Sequence, residues 1–133
     1  MAVRGSGAVL AMALMAGIGA APAAAQDVDA GQKVYASQCR ICHTVDKAGR
    51  NGVGPNLYGV FDRTAAAEGF RYSAPMREKA AAGLAWSEDQ LRAYVREPKV
   101  VVPGGSMAYV GLRNDQQLND LVAYLKQATR PAP

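Results

Sequence analysis

One histidine and two cysteines are all that this 133-residue chain holds of each type. That scarcity excludes several chemistries. A structural zinc site takes four ligands, mostly cysteine and histidine, and Cys39, Cys42 and His43 supply only three. Acid–base catalysis by a pair of imidazoles has no second histidine to use. Long apolar runs are also lacking. Beyond Ala25 no stretch approaches the roughly 20 apolar residues that cross a bilayer as a helix. Charge is sparse and unclustered: 20% of residues are Asp, Glu, Lys or Arg, and the basic ones are scattered. Nucleic-acid binding, which needs a basic patch or stripe, has no support. No internal repeat, low-complexity tract or linker comes after Ala25, and no pattern of pairing strands appears. The chain reads as one small domain.

The first 25 residues have their own character. They carry one positive charge, Arg4, then an apolar run from Ala8 to Ala21, then Ala23-Ala24-Ala25. This is the layout of a secretory signal peptide, with cleavage expected after Ala25. The run is short and rich in Ala and Gly, which favours export over a membrane anchor. Residues 1–25 are therefore read as a signal peptide and residues 26–133 as the domain, placed in the periplasm. Without Arg4 the domain holds 14 Lys and Arg against 11 Asp and Glu, a net charge of +3. A weakly positive docking face for an acidic protein partner is the expectation.

What the chain does contain is Cys39-Arg40-Ile41-Cys42-His43. Two cysteines three apart, with histidine directly after the second, form the attachment pattern of a c-type haem. Each thiol adds to one vinyl group of the porphyrin. The next residue then lies under the iron, where an imidazole nitrogen ligates it. A thioredoxin-like pair would want a βαβ pattern around it, and a plain disulfide would leave the histidine unexplained. The expectation is one covalent haem c, which also enlarges a core that 108 residues would build only modestly.

The other elements are read in chain order. Asp27 to Cys39 reads as a helix capped by Asp27 or Asp29, with Val28, Gly31, Val34, Tyr35 and Gln38 on or near one face. Gly31 costs a helix about 1 kcal/mol relative to Ala, so it is read as a point of close helix approach. Thr44 to Gly59 is loop, punctuated by glycines and Pro55. Pro55, with no N–H and a fixed φ, suits the task of presenting a carbonyl to the second nitrogen of His43. Val60 to Tyr72 is expected to be irregular with a helical turn. Arg63 and Tyr72 are candidate partners for a haem propionate. Ser73 caps a short helix from Ala74 to about Ala82, ended by Gly83.

Ser87-x-x-Gln90 forms a capping box, with Trp86 and Leu91 at the staple positions. Leu91, Tyr94 and Val95 make the inner face, and Pro98 stops the helix. Trp86 is a candidate to pack on the porphyrin and donate its indole N–H to a propionate. Val100 to Val102 reads as an extended apolar run, then a turn, then Met107 on a loop. A thioether is a soft ligand suited to low-spin iron. Met76 is the only other methionine of the domain and falls inside a short helix, so Met107 is the favoured second axial ligand. Asn114 opens the last helix with Gln117 as box partner, and Leu118, Leu121, Val122 and Leu125 recur at helical spacing. The first helix is its natural counterpart.

This ordered set resembles class I cytochrome c, of the mitochondrial and bacterial cytochrome c2 type. The residues that carry the resemblance run from Asp27 to Thr129. They include Cys39 to Val45, Gly54-Pro55-Asn56-Leu57-Tyr58-Gly59, Gly69-Phe70-Arg71-Tyr72, Trp86, Tyr94, Pro98-Lys99, Pro103 to Met107, and Leu121 to Lys126. The resemblance implies an all-α fold wrapped around one covalent haem, with the terminal helices crossing. It implies thioethers at Cys39 and Cys42, axial ligands His43 and Met107, and a carbonyl from Pro55 to His43. It places Arg63, Tyr72 and Trp86 near the inner propionate and Tyr94 near the methionine sulfur. It sets Gly31 and Tyr35 against Leu121 and Tyr124. The chain departs from the family at Gln38, Val100 and Ser106, where lysines are common, and at Gly105, where a threonine often bonds a propionate.

The function expected on this basis is that of a monomeric one-electron carrier rather than an enzyme. It would serve a respiratory or photosynthetic chain, taking electrons from a cytochrome bc1-type donor or a dehydrogenase and passing them to an oxidase or reaction centre. A small haem peroxidase or gas sensor would need an open iron site and usually a distal acid–base group. A haem subunit of a larger oxidoreductase would keep residues 1–25 as an anchor.

Overall fold

The computed structural model describes residues 1–2, 24–67 and 69–130. The expected export segment lies almost wholly outside them. Among the described residues five helices form: α1 (Val28–Gln38), α2 (Ala74–Ala81), α3 (Glu88–Arg96), α4 (Pro98–Val101) and α5 (Asp115–Thr129). None of the described helices is long and apolar enough to cross a membrane.

The starts of α1, α2, α3 and α5 are set by the side chains that precede them. Asp27 accepts from the Ala30 N–H at 3.0 Å, Ser73 from Met76 at 3.4 Å, Ser87 from Gln90 at 3.2 Å and Asn114 from Gln117 at 2.9 Å. Each pairs one N–H that the helix itself leaves unsatisfied. Gly83, at φ +98°, turns the chain out of α2 through the left-handed region that a side chain would disfavour.

Helices α1 and α5 make the main helix–helix contact. The residue that permits it is Gly31. A Cβ there would lie 1.9 Å from the Asp120 carbonyl oxygen and 2.8 Å from the Tyr124 Cβ. The backbones meet with no room for a methyl group, and the rings of Tyr35 and Tyr124 pack beside the crossing at 5.4 Å between centroids. The expected partner Tyr124 is confirmed. Leu121 is fully buried in the same core as Tyr35. The buried carboxylate of Asp120 secures the crossing from α5: its Oδ1 accepts the Asp27 N–H at 2.9 Å and the Gln116 side-chain amide at 2.8 Å. Leu118, Val122 and Thr129 complete the buried face of α5. Helix α3 joins α5 through Glu88, which receives Lys126 at 2.6 Å and Arg92 at 3.2 Å.

Two expectations about the backbone are corrected. The run Val100–Val102 is not extended. Pro98 opens α4, because its fixed φ suits a first helical position. Glu97 before it is extended at φ −149° and ψ 81°, as a residue preceding proline prefers. The same proline thus ends α3 and begins α4. The stretch Val60–Tyr72 holds turns and no helical turn among its described residues, with Asp62 and Ala66 both at positive φ. It pairs instead with the approach to α3. Thr64 and Ala85 form an isolated antiparallel bridge, with Trp86 N–H bonding the Arg63 carbonyl at 2.8 Å.

Candidate functional site

The attachment motif sits at the C-terminal end of α1. The chain folds back on itself there: the Cys42 and His43 N–H groups both donate to the Cys39 carbonyl, at 3.1 and 3.0 Å. The Tyr35 hydroxyl, one helical turn earlier, donates to the His43 carbonyl at 2.7 Å. This brings Cys39, Cys42 and His43 to one tight turn. Both thiols are free and half-buried. Burial, with Cys42 alongside, pushes the Cys39 thiol up to about 11.

His43 Nδ1 lies 2.7 Å from the Pro55 carbonyl oxygen. A carbonyl only accepts, so Nδ1 carries the proton and Nε2 keeps its lone pair. Burial lowers the imidazole pKa, opposed by the bond to Pro55. The ring is therefore neutral near pH 7 and presents an unprotonated nitrogen. Gly54 closes over it: a Cβ at that position would meet Cε1 at 2.4 Å and Nδ1 at 2.8 Å. The loop 44–59 holds this arrangement through Asn56, whose side chain bonds Thr44 Oγ1, the Asp46 carbonyl and the Tyr58 N–H.

A second group assembles around Arg63. Its guanidinium donates to the Tyr58 carbonyl at 3.2 Å and the Asn56 carbonyl at 3.4 Å. Its Nε is buried and has no partner, the one such side-chain nitrogen or oxygen among the described residues. Burial raises the Tyr72 phenol, and the Arg63 charge opposes the rise. Trp86 is tied to Arg63 through the backbone and packs on Tyr94 at 4.9 Å between ring centroids. Backbone bonding and ring packing thus join Arg63, Trp86 and Tyr94. Trp86 and Tyr94 belong to the buried core cluster, and Cys39, Tyr72 and Met107 pack against it.

Met107 lies on a stretch without helix or strand, half-buried against that cluster. Met76 points its bulk into the core from α2 and is buried. The contrast expected between a loop methionine and a helical one is present.

The donor set matches a covalent haem on the structure's own terms. Two free thiols stand three residues apart, the adjacent imidazole offers Nε2, and a buried guanidinium N–H is left for an anionic group such as a propionate. Sequence comparison agrees with the site. The family model described as cytochrome c matches residues 28–129.

The chain belongs to the cytochrome c family.

Cytochrome c2 of Blastochloris viridis is 42% identical over 108 residues, covering 80% of this chain and 82% of that protein. Cytochrome c of Gibberella zeae is 39% identical over 105 residues, covering 78% and 96%. Cytochrome c of Guizotia abyssinica is 40% identical over 110 residues, covering 82% and 96%. The fold is the class I cytochrome c fold, the cofactor is one covalent c-type haem, and the protein is an electron carrier that works with redox partner proteins.

Three features of the cytochrome c site lay beyond sequence reasoning. The contact of Gly54 with His43 carried no signal beyond a glycine beside Pro55. The Lys99 ammonium bonds the Gly105 carbonyl, and the Tyr109 hydroxyl bonds Gln38. Neither partner is recognisable from spacing. Around Val100, one of the positions at which the chain departs from the resemblance, the surface is apolar: Val100 and its neighbour Val110 are 69% and 90% exposed. Arg113 there is paired with Glu97 at 3.1 Å.

Proposed function

We propose that this cytochrome c is a periplasmic, monomeric one-electron carrier with His43 and Met107 as axial ligands, exported through residues 1–25. It would link a bc1-type donor or dehydrogenase to an oxidase or reaction centre in a respiratory or photosynthetic chain. The observation that carries the reading is the bond from His43 Nδ1 to the Pro55 carbonyl, which leaves Nε2 for iron. When bound, the haem supplies the one-electron couple, and histidine–methionine ligation raises its potential.

The chain's residues have divided tasks in this reading. Cys39 and Cys42 anchor the porphyrin covalently. Pro55 fixes the orientation of the imidazole and increases its basicity by drawing on the Nδ1 proton. Met107 would hold the iron through its sulfur, and with both His43 and Met107 bound the haem would offer oxygen and peroxide no place to bind. Arg63, through the unpartnered Nε, and Tyr72 and Trp86 beside it hold the inner propionate. A guanidinium bonding a carboxylate in a buried site forms the stronger, charge-assisted kind of hydrogen bond. Tyr94 packs on Trp86 and, in this reading, would stand near the sulfur.

The test is the sulfur-to-iron charge-transfer band of the oxidised, haem-loaded protein. Met107→Ala should abolish it and admit carbon monoxide to the reduced form, whereas Met76→Leu should keep it. A band that survives Met107→Ala would refute the ligand assignment. N-terminal sequencing of the exported protein tests cleavage after Ala25, and finding the protein in the membrane fraction with residues 1–25 intact would refute it.

A further inference from the structure

Met107 is bracketed. Two residues before it, the Gly105 carbonyl accepts a hydrogen bond from the Lys99 ammonium. Two residues after it, the Tyr109 hydroxyl donates to Gln38 Oε1 at 2.6 Å. Lys99 belongs to α4, and Gln38 is the last residue of α1, directly before Cys39. The loop that carries the sulfur is tied on one side to its own short helix. On the other side it is tied to the helix end that carries the attachment motif, 71 residues away in the chain.

The second tie is the more informative. Tyr109 is half-buried against the core, and its ring packing would be served equally by phenylalanine. The hydroxyl adds only the bond to Gln38. Gly105 adds a further constraint, because its N–H bonds the Val102 carbonyl at 3.0 Å. Both flanks of Met107 are therefore ordered by contacts that do not involve the sulfur.

We infer that Gln38, Tyr109 and Lys99 are positioning residues that hold the Met107 sulfur at its iron; this rests on the reading of Met107 as the sixth ligand. A single thioether on an otherwise free loop must order that loop each time it binds. Hydrogen bonds that pre-order the flanks remove part of that entropy cost and so favour the bound sulfur. The Tyr109–Gln38 bond acts as a strap between the two segments that bear the two faces of the site. Breaking it raises the fraction of time the sulfur is away. One neutral hydrogen bond of ordinary net worth changes such an opening equilibrium about two- to tenfold.

The experiment uses the haem-loaded protein and the variants Tyr109→Phe, Gln38→Leu, both together, Lys99→Leu and Lys99→Arg. Two quantities report sulfur departure: the temperature at which the oxidised charge-transfer band disappears, and the rate of carbon monoxide binding to the reduced form. Helix melting by far-ultraviolet circular dichroism reports general stability.

Tyr109→Phe and Gln38→Leu should each raise the carbon monoxide rate about two- to tenfold, as expected for one hydrogen bond. Each should lower the band temperature more than the helix temperature. The double variant should match either single one, because both remove the same bond. Lys99→Leu should act likewise and Lys99→Arg should restore the parent behaviour. Variants identical to the parent, fully additive effects in the double variant, or equal shifts of band and helix melting would overturn the bracket. A parent protein with no band would instead refute Met107 ligation itself, which separates the two failures.

Discussion

Gly54 and the imidazole of His43 are packed so closely that a Cβ on residue 54 would lie 2.4 Å from Cε1 of the ring. Real carbon atoms do not approach to that distance, so the ring or the loop must move. Gly54→Ala should therefore tilt the imidazole away from the Pro55 carbonyl and lower stability by about 1–3 kcal/mol, the usual cost of overpacking. The check is urea unfolding together with the absorption spectrum of the haem-loaded variant. A variant with parental stability and spectrum would show that the loop yields without cost.

Gly31→Ala tests the crossing of α1 and α5. In an exposed helix this change stabilises by up to about 1 kcal/mol. Here the methyl group would sit 1.9 Å from the Asp120 carbonyl oxygen. The helices must part, and the sign should reverse to a loss of about 3 kcal/mol or more, at the upper end of overpacking costs. Thermal unfolding monitored by circular dichroism measures it. A rise in melting temperature would contradict the packing described.

Arg63→Gln removes two hydrogen bonds to the Asn56 and Tyr58 carbonyls and the buried Nε donor. The loss should be about 2 kcal/mol or more, since half-buried acceptors are left unpaired. With the guanidinium gone, a propionate held there would ionise less readily. The midpoint potential should then vary more with pH than in the parent, which redox titration at several pH values will show. Parallel pH profiles would argue against a carboxylate beside Arg63.

Burial pushes the Tyr94 phenol up to about 12 from its ordinary 10.0. Between those values the unfolded chain ionises this phenol while the folded chain keeps it neutral. Its contribution to stability is fully present below pH 10 and is lost as pH rises through about 12. Tyr94→Phe should flatten the fall in stability over that window. Denaturant unfolding at pH 9 and at pH 11 compares the two proteins, and equal slopes would count against the buried phenol.

The carboxylate of Glu88 behaves in the opposite sense. Its hydrogen bond from Lys126 comes first among the causes that lower its pKa, aided by Arg92 and opposed by desolvation. That contribution is present above the ordinary carboxylate pKa and is lost as pH falls through the depressed value. Glu88→Gln should therefore lessen the acid-side loss of stability. The effect should be small, because the pair is solvent-screened, and unfolding curves at pH 3 and pH 6 are the measurement.

Much of this protein was legible in its sequence because the signals are local. Covalent attachment needs two thiols and an imidazole within five residues, so spacing alone pointed to Cys39, Cys42 and His43. The caps at Asp27, Ser73, Ser87 and Asn114 act within one turn, and those four helices begin where their caps predict. The amphipathic period of α5 named its buried face. Tertiary structure decided what depends on partners remote in the chain. The strap from Tyr109 to Gln38, the clasp of Lys99 on Gly105, the contact of Gly54 with His43 and the orphaned Nε of Arg63 all arise where separate segments meet. The helix at Pro98–Val101 was misjudged for a related reason: three consecutive valines favour extended backbone locally, but a proline held behind an extended Glu97 starts a helical turn. Periodicity and capping record a residue's near neighbours; they carry no record of which distant backbone will close over it.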